Sequence, residues 1–110
     1  MESLAWQPVA NGAERAVLYG DPTHAGNFVI RFRTVREIAV PLHWHRHDEH
    51  ITVLCGPFSL SVNGARNQLE PGSYVVIPAG AHHRTWYGPG TVIQVSGIGP
   101  FESIYVDEPQ

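Results

Sequence analysis

The chain has 110 residues, a formal net charge of −3 with histidines counted as neutral, and one cysteine. That length suits a single domain, residues 1–110, built around one core. The charge offers no basic patch for nucleic acid, the apolar runs are too short to span a membrane, and a lone cysteine excludes an internal disulfide. The first residues carry an acid at Glu2 and no basic-then-apolar layout, so they do not read as a signal peptide, and a reducing cytoplasm is the expected compartment.

In chain order the segments read as strands. Residues 13–20 (AERAVLYG) alternate weakly and end at a Gly-Asp-Pro turn. Residues 27–34 (NFVIRFRT) alternate strictly, with Phe28, Ile30 and Phe32 on one face and Val29, Arg31 and Arg33 on the other. Residues 36–45 (REIAVPLHWH) follow. Residues 50–56 (HITVLCG) form a continuous apolar, β-branched run, the pattern of a strand covered on both faces, in which Cys55 is expected to be buried. Residues 58–69 contain Asn63-Gly64, the strongest short hairpin signal. Residues 72–80, 82–88, 91–97 and 101–106 complete the set. No window has the i, i+3, i+4, i+7 spacing of a helix. Eight or nine short strands at regular turn spacing predict an all-β fold, a sandwich or a small antiparallel barrel.

Four of the seven histidines crowd into residues 43–50. In a strand, residues i and i+2 share a face about 6.5–7 Å apart, so His43 and His45 point the same way and can lean toward one ion. Glu49 has the same parity and can return to that side after a bend. A fourth ligand must come from elsewhere. His82 and His83 follow a Pro-x-Gly turn that lets a neighbouring strand start beside the first. A single histidine is usually a surface or hydrogen-bonded residue, and His24, His47 and His50 are read that way. The combination of H-x-H-x₃-E with a distant P-x-G-x₂-H favours a metal site.

These residues resemble the cupin family. His43, His45, Glu49 and Gly56 match its first motif, G-x₅-H-x-H-x₃₋₄-E-x₆-G, with Glu37 at the leading glycine. Gly72, Pro78, Gly80 and His83 match its second, G-x₅-P-x-G-x₂-H-x₃-N, with Tyr87 at the terminal asparagine. The resemblance implies a jelly-roll barrel, also called a double-stranded β-helix, with a metal inside one mouth. It selects His83 over His82 as the third imidazole. The implied cofactor is one divalent transition metal, since three imidazoles and a carboxylate suit Fe, Mn, Ni, Co or Zn better than Mg or Ca.

Parity nominates Ile51, Val53, Thr85 and Tyr87 as substrate-pocket residues, and Gln94 is nominated because its neighbours are apolar. Trp44 and Trp86, of opposite parity to the ligands, are expected between the sheets or in a subunit contact. The leading functional expectation is a metal-dependent dioxygenase of a small organic molecule. The alternatives are a module that binds or senses a small ligand without turnover, and an isomerase or lyase working through a metal-polarised substrate. In the last case Tyr87 is the available base, although a phenol near pKa 10 suits that task poorly. No residue is assigned a catalytic role. A homodimer is expected from the apolar residues on more than one face of residues 13–20 and 28–33 and from an N-terminal strand carrying Trp6 and Val9.

Overall fold

The computed structural model describes residues 4–10 and 12–107, in which there are eleven strands and no helix. The strands are β1 (Gln7–Ala10), β2 (Ala13–Tyr19), β3 (Gly26–Thr34), β4 (Ile38–Trp44), β5 (Glu49–Cys55), β6 (Phe58–Val62), β7 (Ala65–Leu69), β8 (Tyr74–Ile77), β9 (His83–Tyr87), β10 (Val92–Gly99) and β11 (Ile104–Tyr105). They form two antiparallel sheets, ordered β1-β2-β3-β10-β5-β8 and β11-β4-β9-β6-β7. The two sheets pack face to face as a small β-sandwich.

Period-2 alternation decides which side chains fill the space between the sheets. Phe28 and Ile30 from β3, Ile51 and Val53 from β5, Phe58 and Leu60 from β6, Ile77 from β8, and Ile93 and Val95 from β10 make one buried cluster. The β6–β7 hairpin turns at Asn63-Gly64, both with positive φ (56° and 99°). Two such residues match the twist of the flanking strands, which is why Asn-Gly is favoured there.

Two expectations about the outer faces are corrected. β5 is covered on one face only: Glu49, Ile51 and Val53 are buried, His50 and Thr52 are half-buried, and Leu54 and Cys55 are exposed. Its apolar character reflects an inner strand between β10 and β8, in an antiparallel sheet whose second face meets solvent. Trp44 and Trp86 lie on the outer face of the five-stranded sheet, not between the sheets; of the two places expected for them, a subunit contact is the one compatible with that face. Trp44 stacks on His82, with ring centroids 6.5 Å apart, and the Arg66 guanidinium sits 4.0 Å from the Trp86 ring centre. Aromatic rings there gain stacking and cation–π contacts without entering the core.

β4 carries a bulge that matters for the site. Val40 pairs with Thr85 and His43 with His83, so β4 uses three residues where β9 uses two. Pro41 lies inside this step; lacking an N–H, it cannot continue the ladder. One extra residue reverses the alternation. Ile38 and Val40 face the interior, and so does His43, which would otherwise point out.

Candidate metal centre

Three elements bring the predicted ligands together. His43 sits near the end of β4 and His45 just beyond it, where the His45 carbonyl accepts from the Gly80 N–H at 2.9 Å. Glu49 opens β5 after a short turn in which the Asp48 carboxylate accepts from the Ala79 N–H at 2.8 Å. His83 opens β9, paired with His43 on one side and Val62 on the other. One ring nitrogen from each of His43, His45 and His83 lies within 4.8 Å of the other two. Glu49 Oε1 is 3.0 Å from His45 Nε2 and 3.4 Å from His83 Nε2. All four side chains are buried, His83 to 1% exposure.

The outward ring nitrogens are all engaged. His43 Nδ1 lies 2.7 Å from the Pro41 carbonyl, His45 Nδ1 2.7 Å from the Glu102 carbonyl, and His83 Nδ1 3.0 Å from the Ala81 carbonyl. A carbonyl only accepts, so each Nδ1 donates and carries the proton. In the neutral ring Nε2 is then a lone pair directed at the centre, the state in which imidazole binds a metal. Burial pulls the His43 pKa down to about 4, helped by the His83 and His45 rings. His45 moves the other way: burial lowers its pKa, but the Glu49 carboxylate outweighs that and leaves it raised. Burial pushes Glu49 up, yet the His45 and His83 rings overcome this and hold it at about 2.

Whether this donor set fits a metal is answered by two atoms. With the His45 proton on Nδ1, His45 Nε2 and Glu49 Oε1 are two buried acceptors 3.0 Å apart with no proton between them. Buried polar atoms left unpaired are costly. A cation between them would satisfy both, and imidazole with carboxylate is a donor mixture for transition metals.

The cluster lies at one end of an interior cavity of about 350 Å³. Thr85 and Tyr87 line it, on the same face of β9 as His83. Ile51 and Val53 do not; they share the inward face of β5 with Glu49 but lie deeper, in the hydrophobic core. Gln94 does not line it either. It projects from the outer face of β10, between buried Ile93 and Val95, and accepts a hydrogen bond from Arg31 Nε at 2.8 Å. Lining residues that spacing did not nominate include Phe32, Ile38 and Val40 from β3 and β4 and Phe101, Ser103 and Tyr105 from the C-terminal segment, with others from β1, β2 and β10. Parity on either side of the Pro41 bulge could have found Ile38 and Val40. Nothing in the local sequence marks the C-terminal segment, whose Glu102 carbonyl holds His45.

The family model described as "Cupin domain" matches residues 34–94, a span that contains all four clustered side chains. This chain is a cupin. No protein with a curated description matches this cupin. Among solved structures it is similar to KdgF from Halomonas sp., at 22% identity and TM-score 0.77, over 88% of this chain and 87% of that one. It is similar to the polyketide cyclase RemF from Streptomyces resistomycificus, at 22% identity and TM-score 0.73, over 97% and 84%. It is also similar to salicylate 1,2-dioxygenase from Pseudoaminobacter salicylatoxidans, at 17% identity and TM-score 0.72; the match covers 84% of this cupin and 26% of that enzyme. Likeness at these identities establishes the fold, and fold alone does not assign a reaction.

Proposed function

We propose that this cupin is a metal-dependent dioxygenase acting on a small organic molecule held in the cavity, with His43, His45, Glu49 and His83 as the metal ligands. The observation that carries this reading is the lack of an independent general base around the cluster. Glu49 is the one carboxylate lining the cavity among the described residues, and it is turned onto His45 and His83. Tyr87 is pushed well above the usual phenol range by burial, so it stays protonated and can donate but not abstract. That lowers acid–base chemistry relative to redox chemistry at this site.

A divalent transition metal, when bound, supplies Lewis acidity and, if redox-active, the means of engaging O₂. The chain's own part is positional. The Pro41, Ala81 and Glu102 carbonyls fix the ring orientations, as outer hydrogen-bond partners of metal-ligating histidines do. Phe32, Ile38 and Val40 give the cavity an apolar wall beside the ligand cluster. Protein loaded with Fe(II) should consume O₂ only when a cognate small molecule is present, as read by an oxygen electrode.

A redox-neutral reaction is the second reading. It is supported by the similarity to a polyketide cyclase over nearly the full length of both chains, whereas the dioxygenase match covers a quarter of that enzyme. Turnover that proceeds equally under argon would favour it. Tight ligand binding with no turnover under either gas would point to a sensing module.

We also infer that the chain forms a homodimer. Val9, Val17 and Tyr19 are exposed on β1 and β2, the edge of the six-stranded sheet, and supply apolar surface suited to a two-fold contact. Light scattering should give a mass near twice 12.2 kDa; the mass of one chain would overturn the inference.

A further inference from the structure

We propose that the cavity selects a small, planar, carbon-rich molecule, and that Tyr87 is a specificity residue that donates a hydrogen bond to one of its oxygen atoms. The proposal rests on the site reading above for the location of the ligand, and on the cavity walls for its chemistry. No Lys, Arg, Asn or Gln lines the cavity among the described residues. Its body is Phe32, Ile38, Val40 and Phe101, with the Phe101 ring stacked on His45 at 4.7 Å between centroids. A volume of about 350 Å³ is near the lower end for ligand sites, roughly 300–1,000 Å³. A polyol or sugar acid would bring many oxygens into a space with few partners, and each oxygen left unpaired costs binding. A flat hydrocarbon ring meets apolar walls along its body and needs polar contacts only at its end.

Five hydroxyls line the cavity, those of Thr34, Thr85, Tyr87, Ser103 and Tyr105; Ser103 is exposed, and Thr85 is hydrogen-bonded to Tyr87, which leaves the Tyr87 proton free to donate. The Thr34 hydroxyl is spent on the Gly88 carbonyl at 2.9 Å. Tyr105 stands at the mouth, 58% exposed, where water competes for its hydroxyl. Tyr87 lies four residues past His83 on the same strand face. Its ring is set edge-on against buried Phe58, with centroids 5.2 Å apart. Packing on a core residue fixes the ring before ligand arrives, and a preorganised donor loses little entropy on binding.

The test is calorimetric titration of zinc-loaded protein, which binds ligand without redox turnover, with two chelating probes: benzene-1,2-diol and D-gluconate. The diol should bind at least tenfold more tightly, which a cavity built for polyols would reverse. Tyr87→Phe keeps the ring on Phe58 and removes only the donor. It should weaken the diol by roughly five- to tenfold, the size of one neutral hydrogen bond, with bound zinc unchanged. Tyr105→Phe should stay within twofold of wild type. Gluconate binding as tightly as the diol would overturn the ligand class, and an unchanged diol affinity in Tyr87→Phe would overturn the role of Tyr87. The same ranking and the same Tyr87 loss, weaker throughout, are expected in the metal-free chain. A chain that takes up no zinc would leave this proposal to be decided by the metal-free titration, and the metal reading to be decided separately with the other four metals.

Discussion

Gly56 and Gly80 have nearly the same φ, +81° and +82°, in the left-handed region, but different surroundings. A Cβ at Gly80 would meet nothing within 4 Å, whereas one at Gly56 would lie 2.7 Å from Thr91 Cα, 2.8 Å from the Gly90 carbonyl oxygen and 2.9 Å from Thr91 N. Those are backbone atoms, and they are pinned. The Thr91 hydroxyl shares its one proton between the Pro57 and Gly88 carbonyls, 2.7 and 2.8 Å away, and the Thr91 carbonyl accepts from the Thr34 N–H at 3.0 Å. Gly80→Ala should therefore cost only the left-handed conformation, about 1–2 kcal/mol. Gly56→Ala adds an overpacking cost of about 1–3 kcal/mol, for a total of about 2–5 kcal/mol. In a domain of this size each kcal/mol is worth roughly 4–8 °C in Tm. Paired urea denaturation of the two variants isolates the contact cost, since the backbone cost is common to both. Equal losses of stability would refute the argument that the close approach of residues 90–91 is what requires glycine at position 56.

Three further outcomes follow from the same geometry. Metal-free protein should lose stability as pH falls from about 6.5 to about 4. In that window His43 in the unfolded chain takes up a proton that the folded chain, with its pKa held at about 4, does not. Glu49, held at about 2, extends the loss below its ordinary 4.5, and guanidinium titrations at pH 7 and 4.5 would show the trend. Cys55 is exposed and should react with one equivalent of Ellman's reagent in the native state; protection until denaturant is added would contradict its placement. Gln94→Ala should cost about 1–3 kcal/mol for the charge-assisted bond from Arg31 and leave ligand affinity unchanged, as checked by denaturation and titration.

Much of this could be read from residue types and spacing. Strict alternation in residues 27–34 set the inward face of β3, and Asn63-Gly64 set the β6–β7 turn. The histidine parity brought His43 and His45 to one side, although the Pro41 bulge is what brings that side inward. Depth was not legible. Glu49, Ile51 and Val53 share a face, but one end of that face meets the ligand cluster and the rest meets the core, a difference set by the opposing sheet. Gln94 misled because its neighbours are apolar. Period 2 alone puts it opposite Ile93 and Val95, and its partner Arg31 lies 63 positions away. Cys55 misled for another reason: period 2 puts it on the inward face with Ile51 and Val53, but the pairing of β5 with β10 shifts register between Val53 and Cys55, and the strand end is exposed.

The central claim is that His43, His45, Glu49 and His83 hold one transition metal. Its most direct test is elemental analysis of protein purified without chelators and then reconstituted in turn with Fe, Mn, Ni, Co and Zn. One metal per chain is expected in the wild type, with loss in His43→Ala and in His83→Ala and retention in His82→Ala, since His82 stacks on Trp44 outside the cluster. A wild-type chain that takes up none of the five metals stoichiometrically, or a His82→Ala variant that loses the metal while His83→Ala keeps it, would contradict the claim.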